Sequence, residues 1–327
     1  MNNILITGGA GYIGSHITEK LIKKKKNIFI VDNLSTGYKS LINKKSKFYK
    51  ININNLKELK KIIKKNRIDS IIHLAASASI SDNQNDKKLF YKNNVEGTSN
   101  LINACRGSSV KSFVFSSTAA VYKGSNKKVT ELSKIEPKSV YGTTKLKAEK
   151  IIIKNLKKLK INYAILRYFN VVGASQSKKI GPLNKNDTLF KNISTSIFKK
   201  NTDIKIYGNN FNTKDGTCIR DYIHVSDLSE IHIKILKKIE KVKKSVILNC
   251  GYGNGISVKQ VVDRFIKISK RDANIIILNK RPADIISSIA NNDNLKAFIK
   301  WKPKYNNLNF IINSCLAWEK NLSNNHH

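Results

Sequence analysis

The chain has 327 residues, enough for one large domain or a large and a small one, and its 40% apolar content is that of a globular protein. It holds no apolar run of the about 18 residues that a membrane helix needs. Met1-Asn2-Asn3-Ile4-Leu5-Ile6 enters a strand-like run without the basic and long apolar regions of a signal peptide, so a cytoplasmic location off the membrane is expected. The formal net charge of +39 invites a nucleic-acid role, but 54 of the 61 basic residues are Lys and only seven are Arg, the side chain suited to bidentate base recognition.

In chain order, Asn3–Thr7 reads as a strand closed by glycines. Over 12–25, Ile13, Ile17, Leu21 and Ile22 share one helical face. Strands are expected at 28–31, 48–51, 70–75, 113–117 and 163–168, with helices at 56–65, 89–105 and 141–159. This alternation predicts an α/β fold, a doubly wound parallel sheet with right-handed crossovers. Beyond about 170 the pattern loosens. The segment 171–190 reads as a loop, 188–200, 225–239, 258–269 and 310–319 as helices, and 246–250 and 274–278 as strands. A smaller C-terminal α/β lobe follows, with some segments returning to the first part.

Gly8, Gly11 and Gly14 form G-x-x-G-x-x-G between the first strand and its helix. Such glycines let the backbone turn tightly against a pyrophosphate, and the helix start offers amides and a positive dipole. Asp32 ends the second strand, 18 residues past Gly14. A carboxylate there binds ribose hydroxyls and repels a 2′-phosphate, favouring NAD over NADP; the plainer reading is a turn cap shared with Asn33. Residues 1–170 are thus expected to be a Rossmann-type NAD-binding domain, and 171–327 mainly a substrate-binding lobe. Tyr141-Gly142-Thr143-Thr144-Lys145 places a phenol and an ammonium one helical turn apart. A phenol titrates near pH 10 and needs a nearby cation to act as a base at neutral pH. Cys105, Cys218, Cys250 and Cys315 have neither C-x-x-C spacing nor ligand-spaced His, so they read as reduced thiols and no metal is expected.

These motifs, with His73-Leu74-Ala75-Ala76 and Tyr91-Lys92-Asn93-Asn94-Val95, resemble the extended short-chain dehydrogenase/reductase superfamily. Three further segments narrow the resemblance to its UDP-glucose 4-epimerase family. They are Gly8 to His16, Val31-Asp32-Asn33-Leu34-Ser35-Thr36-Gly37 and Asp215-Gly216-Thr217-Cys218-Ile219-Arg220-Asp221-Tyr222-Ile223-His224-Val225. Arg167-Tyr168-Phe169-Asn170 follows the Tyr141 helix as in that family, and the likeness covers about residues 3 to 320. It implies reversible epimerisation at C4 of UDP-galactose and UDP-glucose through a transient 4-keto sugar, with NAD tightly bound and regenerated each cycle. It also implies reaction roles for Thr118, Tyr141 and Lys145. Cofactor contacts are implied at Gly8, Gly11, Tyr12, Ile13, Gly14, Asp32, Asn33, Ile53, Leu74, Ala75, Ala76, Asn94, Ser116, Tyr141, Lys145 and Phe169. Substrate contacts are implied at Thr118, Tyr141, Asn170, Leu189, Arg220, Tyr222, Arg281 and Asp284, with the two arginines on the diphosphate and Asp284 on the uridine ribose. His224 carries no implied acid-base role. A role in galactose metabolism and a homodimer, built through the helices holding Asn94 and Tyr141, are implied as well.

Ala119-Ala120 stands where related 4,6-dehydratases carry Asp-Glu, which argues against dehydration. Asn52, Ala78, Lys123 and Ala283 depart from the family pattern. Ser288 replaces a Tyr of some members, which leaves UDP-N-acetylglucosamine as an alternative substrate. UDP-glucuronate and a non-catalytic NAD-dependent sensor are further alternatives; an intact Thr118, Tyr141 and Lys145 set argues against the sensor.

The lysines are scattered over helical segments at 23–26, 157–160 and 237–244, and no aromatic motif gathers them. Duplex DNA should therefore bind weakly at low salt, without sequence preference, and be released by about 0.2 M salt. A sequence-selective complex that survives physiological salt in a titration would overturn this reading of the charge.

Overall fold

The computed structural model describes residues 3–78, 84–125, 127–183, 188–198, 203–281 and 284–324. The strands are β1 (Asn3–Thr7), β2 (Asn27–Asp32), β3 (Lys47–Lys50), β4 (Ser70–His73), β5 (Ser112–Thr118), β6 (Asn162–Tyr168), β7 (Asn170–Val172), β8 (Asp203–Tyr207), β9 (Ile219–His224), β10 (Val246–Cys250), β11 (Gly255–Ser257), β12 (Asn274–Leu278) and β13 (Ser287–Ser288). The helices are α1 (Tyr12–Lys23), α2 (Leu56–Lys65), α3 (Gln84–Phe90), α4 (Gly97–Ala104), α5 (Val140–Lys158), α6 (Leu189–Ile197), α7 (Val225–Val242), α8 (Val258–Ser269), α9 (Asp293–Ile299) and α10 (Leu308–Asn324). The chain separates into two compact units: 1–121, 135–167 and 229–248 form the first, and 122–134, 168–228 and 249–327 the second.

The first unit is built on a seven-stranded sheet in the order β10-β6-β5-β4-β1-β2-β3. β2 and β4 flank β1 in parallel, with Leu5 opposite Phe29 on one side and Ile71 on the other. Strands buried on both faces read as mainly apolar runs, and β4 and β5, buried almost end to end, are apolar at Ile71–Ile72 and Phe113–Phe115, with polar residues at their ends. Leu5, Ile71, Phe113 and Ile165 of the sheet pack with Leu59 and Ile63 of α2, Leu101 of α4, and Ile152 and Leu156 of α5. α2 shows the local logic: Asn55 caps it by accepting from the Glu58 amide, and Leu59, Ile62 and Ile63 face inward while the lysines face solvent.

The expected helix over 89–105 is interrupted. A π turn at Tyr91–Glu96 joins α3 to α4. Thr98 Oγ1 donates to the Asn94 carbonyl at 2.6 Å, a side-chain bond that competes with the regular backbone ladder. The strand expected over 70–75 ends at His73, where the Gly8 turn comes against the Ala75 backbone.

In the second unit β9 is the organiser. It pairs with β11 antiparallel and with β7 and β13 in parallel, while β8 and β12 form a separate parallel pair. β7, β8, β9, β11, β13 and α9 are not evident in the apolar pattern. Ile219-Arg220-Asp221-Tyr222-Ile223-His224 lacks the alternation of a half-buried strand. The expected helix over 188–200 is observed as α6; residues 199 and 200, like Ala283, lie outside the described residues. Ser257 and Gln260 form a capping box at the start of α8. Phe190 of α6 packs on Phe265 of α8 and Tyr222 of β9, with ring centroids 5.3 and 4.9 Å apart.

Lys191 of α6 and Glu319 of α10 form a buried ion pair at 2.5 Å, 5% and 8% exposed. Glu319→Gln leaves that ammonium buried without its counter-charge. Unfolding of this unit in urea should show a loss of about 3 kcal/mol; a loss within about 0.5 kcal/mol would mean the pair contributes no stability.

Candidate active site

The turn after β1 rests on glycine. Gly8 has φ +72, and a Cβ on it would lie 2.7 Å from the Ala75 amide nitrogen. A Cβ on Gly14 would lie 2.4 Å from the Gly8 carbonyl oxygen. The backbone is thus pressed together at the carboxyl ends of β1 and β4, the switch point at which doubly wound sheets bind ligands. α1 begins at Tyr12 and Ile13 with Gly11 as a cap that forms no side-chain bond, and no acid lies in its first turn. A helix start in that state suits an anionic pyrophosphate. Asp32 is buried, and accepts from the Leu34 amide at 2.8 Å and the Ala10 amide at 3.1 Å. A carboxylate offers about four acceptor positions, so ribose hydroxyls still find lone pairs there. Burial raises the Asp32 pKa, against the two amides that lower it. Asn33 is exposed and closes an Asx turn onto the Ser35 amide. The cradle and the acid fit a dinucleotide.

Ile53 is buried and packs where Gly97 lacks a side chain: a Cβ there would meet Ile53 Cδ1 at 2.4 Å. Leu74, Ala75 and Ala76 run half-buried past the end of β4. Asn94, turned inward by the π turn, is engaged by the protein itself. It accepts from the Ser77 amide at 2.7 Å and donates to the Ser77 carbonyl and Thr144 Oγ1, both at 3.0 Å. Thr144 Oγ1 donates in turn to the Tyr141 carbonyl at 2.9 Å. His73 is held between Thr7 Oγ1 and Thr98 Oγ1 at 2.7 and 2.9 Å, and burial pushes its pKa down to about 3, so it is neutral.

Ser139 caps α5 through the Gly142 amide. A Cβ on Gly142 would lie 2.4 Å from the Ala120 carbonyl oxygen, so glycine is what lets the first turn of α5 approach the end of β5. That approach brings Thr118 within hydrogen-bonding reach of the Tyr141 hydroxyl. Burial pushes the Tyr141 phenol up to about 12, with the Thr118 bond pulling it back. Lys145 is 2% exposed. Its ammonium donates to the Ser116 carbonyl at 2.6 Å, lies 3.4 Å from Ser116 Oγ, and sits 5.9 Å from the centre of the Tyr141 ring. Burial brings Lys145 down to about 7, with Glu149 raising it. Ala119 and Ala120 sit in a short 3-10 turn and bring no acid to this place.

In the second unit, Arg220, Arg281 and Asp284 converge. Asp284 accepts from Arg281 Nε at 2.9 Å and from Arg220 Nη2 at 3.4 Å. Arg220 Nη1 also donates to the Ile219 and Ile285 carbonyls at 2.9 and 2.8 Å, which fixes its fork. The Arg281 guanidinium lies 4.9 Å over the Tyr207 ring. A cavity of about 370 Å³ opens here, lined by Arg281 and Asp284 with Asn210, Phe211, Lys280 and Ile286. Tyr207, Phe211 and Lys280 are new to this group; an aromatic residue in a polar loop was the only trace of them in the sequence. Asn170 lies opposite Tyr222 in the β7–β9 register and donates to the Asp221 carbonyl at 3.0 Å. Tyr222 and Phe169 are buried, and Leu189 is half-buried at the start of α6. Ser288 is half-buried beside Arg220 in the β13–β9 register. His224 accepts from the Ser226 amide and packs on Tyr305 and Phe310, a structural setting.

A family model described as NAD dependent epimerase/dehydratase matches residues 4–251. A UDP-glucose 4-epimerase of Lactobacillus helveticus is 36% identical over 97% of this chain and 97% of its own. The crystal structure of a UDP-glucose 4-epimerase from Stenotrophomonas maltophila with bound NAD and formylated UDP-arabinopyranose superposes with a TM-score of 0.94 at 28% identity, covering 99% of this chain and 100% of that one. A UDP-Glc/GlcNAc 4-epimerase of Campylobacter jejuni superposes at 0.84 with 35% identity, covering 98% and 100%.

Gly14→Ala sets a methyl group against the Gly8 carbonyl. Dinucleotide affinity, read by titration calorimetry, should fall about tenfold or more, or ~1.4 kcal/mol. Unchanged affinity would remove this turn from the cofactor site.

Proposed function

The chain belongs to the NAD dependent epimerase/dehydratase family, and from that membership we propose how its residues divide the work of the reaction. The activity is reversible NAD-dependent epimerisation at C4 of UDP-galactose and UDP-glucose. The observation that carries the residue assignment is the group at the junction of β5 and α5, where the half-buried Thr118 and Tyr141 stand beside the buried Lys145.

NAD, when bound, supplies the reversible oxidation at C4 of the sugar. The glycine turn and the start of α1 hold its pyrophosphate, and Asp32 accepts from its ribose hydroxyls and repels a 2′-phosphate. Ile53, Leu74, Ala75, Ala76, Ser116 and Phe169 complete its surroundings, and Asn94 fixes the loop beside it. Tyr141 takes the proton of the 4′-hydroxyl and returns it. At about 12 the phenol is a poor base alone; the Lys145 ammonium stabilises the phenolate, and Thr118 shares its hydrogen bond with the sugar oxygen. Arg220 and Arg281 hold the diphosphate through forked donors, and Asp284 the uridine ribose. Asn170, Leu189 and Tyr222 bound the sugar nucleotide. Anchoring the UDP end lets the keto sugar turn over without leaving.

A second reading, activity on UDP-N-acetyl sugars as well, is favoured by Ser288, a small side chain opposite Arg220 at a position where some members of the family carry a tyrosine. We further propose a cytoplasmic homodimer serving galactose metabolism. Among the described residues no helix is long and apolar enough to cross a membrane. Exposed Leu89 and Tyr91, with the Lys147 ammonium 4.6 Å over the Tyr91 ring, offer a face for a second copy.

Incubation with UDP-galactose and UDP-N-acetylgalactosamine, with products resolved by chromatography, tests the substrate assignment. The 4-epimer of the first is expected, and formation of the second product decides the Ser288 reading. Tyr141→Phe should lower turnover by about 10²–10⁴-fold or more while NAD and UDP still bind; a near-normal rate would refute the role given to the phenol.

A further inference from the structure

Lys145 is followed one helical turn later by Glu149, itself 1% exposed. Neighbouring inward positions on α5 are Ala148, Ile152 and Leu156, so the rest of this face is apolar. Arg167 of β6 donates to the Glu149 carboxylate from Nε at 3.0 Å and from Nη2 at 2.7 Å. Ser117 of β5, next to the Ser116 that holds Lys145, donates to the same carboxylate. Burying such a pair removes two ions from water, and a well-packed apolar pair is often as stable. Core packing alone does not account for a carboxylate at this position.

The hydrogen bonding narrows its use. Among the described residues, the ammonium of Lys145 bonds to Ser116, and the carboxylate of Glu149 bonds to Arg167 and Ser117. Glu149 therefore gives Lys145 a nearby negative charge without occupying its donors, and the third donor, beyond the two that Ser116 takes, stays available for a ligand. Apart from Arg167, the other groups around Lys145 carry no charge. His73 on β4 is neutral, Phe115 on β5 offers its ring face at 4.7 Å, Ser116, Ser117 and Thr118 are uncharged, and Tyr141 lies one turn back on α5. On β6 the Arg167 cation faces the carboxylate.

Resting on the roles proposed above for Tyr141 and Lys145, the geometry points to Glu149 as a positioning residue: clamped by Arg167 and Ser117, it keeps the Lys145 ammonium charged and fixed beside Tyr141. Burial already draws Lys145 down to about 7, and Glu149 opposes that fall. A lysine acts as a cation only below its pKa. Removing the negative charge makes the ammonium lose its proton at lower pH, and with it the support for the Tyr141 phenolate.

The test is the pH profile of kcat/KM for UDP-galactose in the NAD-loaded enzyme. Glu149→Gln should move the alkaline limb about one pH unit or more towards acid. KM at low pH and the NAD content should stay within about twofold of wild type. Glu149→Asp, which keeps the charge, should restore the limb. The Glu149→Gln, Arg167→Gln double variant leaves no buried guanidinium unpaired and guards against a folding failure of the single one; its limb should move the same way. A uniform fall in kcat/KM with an unmoved limb, or the same profile in the Asp and Gln variants, would show a purely structural pair and overturn the inference. An unmodified enzyme without epimerase activity would instead overturn the assigned reaction and, with it, this role.

Discussion

A buried ammonium sets the terms for the first unit. Lys145 is lodged at the end of β5 with its charge on the Ser116 carbonyl and the Phe115 ring. An isolated cation there would be too costly to keep charged. The structure offsets this with a carbonyl, a ring face and a carboxylate one turn away. Each fixes an element: Ser116 and Phe115 fix β5, and Glu149 ties α5 to Arg167 on β6. The same geometry forces glycine at 142, because α5 reaches the strand end only if nothing projects towards the Ala120 carbonyl. Tyr141 and Thr118 meet as a result of that approach.

The second unit is organised by a carboxylate in place of an ammonium. Asp221, fully buried in β9, accepts from the amides of Tyr252 and Gly253 at 2.8 Å and of Ala290 at 3.1 Å. Burial pushes its pKa up to about 6 even so. One side chain therefore holds two segments, the β10–β11 connection and the chain after β13, against the strand that carries Arg220 and Tyr222. Asp227 repeats the device, accepting from the Tyr252 hydroxyl and the amides of Lys304 and Tyr305. Much of the Asp215 to Val225 segment is explained by this wiring. Its Arg220 reaches Asp284, which lines the cavity, while Asp221 and His224 hold the frame around it.

Stability and reactivity draw on the same groups. His73 and Asn94 are buried polar residues partnered by the threonines at 7, 98 and 144 and by the Ser77 backbone. They join β1, β4, the π turn and α5 into one hydrogen-bonded chain that ends at the Tyr141 carbonyl. Satisfied buried networks of this kind favour a single arrangement over its competitors.

The sequence by itself determined the layered alternation, the glycine turn with Asp32, and the Tyr141–Lys145 pair. Each is local: apolar periodicity, glycine spacing and the pitch of one helix are all written in neighbouring residues. It also supplied Arg220 and Arg281 as members of a scarce residue type. Only the tertiary structure decided which groups stand behind those pairs. The π turn is accompanied by a side-chain bond from Thr98 to the Asn94 carbonyl. The Glu149 clamp joins residues from two strands and a helix, and Asp284 is shared by arginines 61 positions apart. β9 carries too many polar residues to read as a strand, because its polar side chains find partners brought from distant segments. Buried charge is legible only once those partners are in place; spacing along the chain carries no record of them.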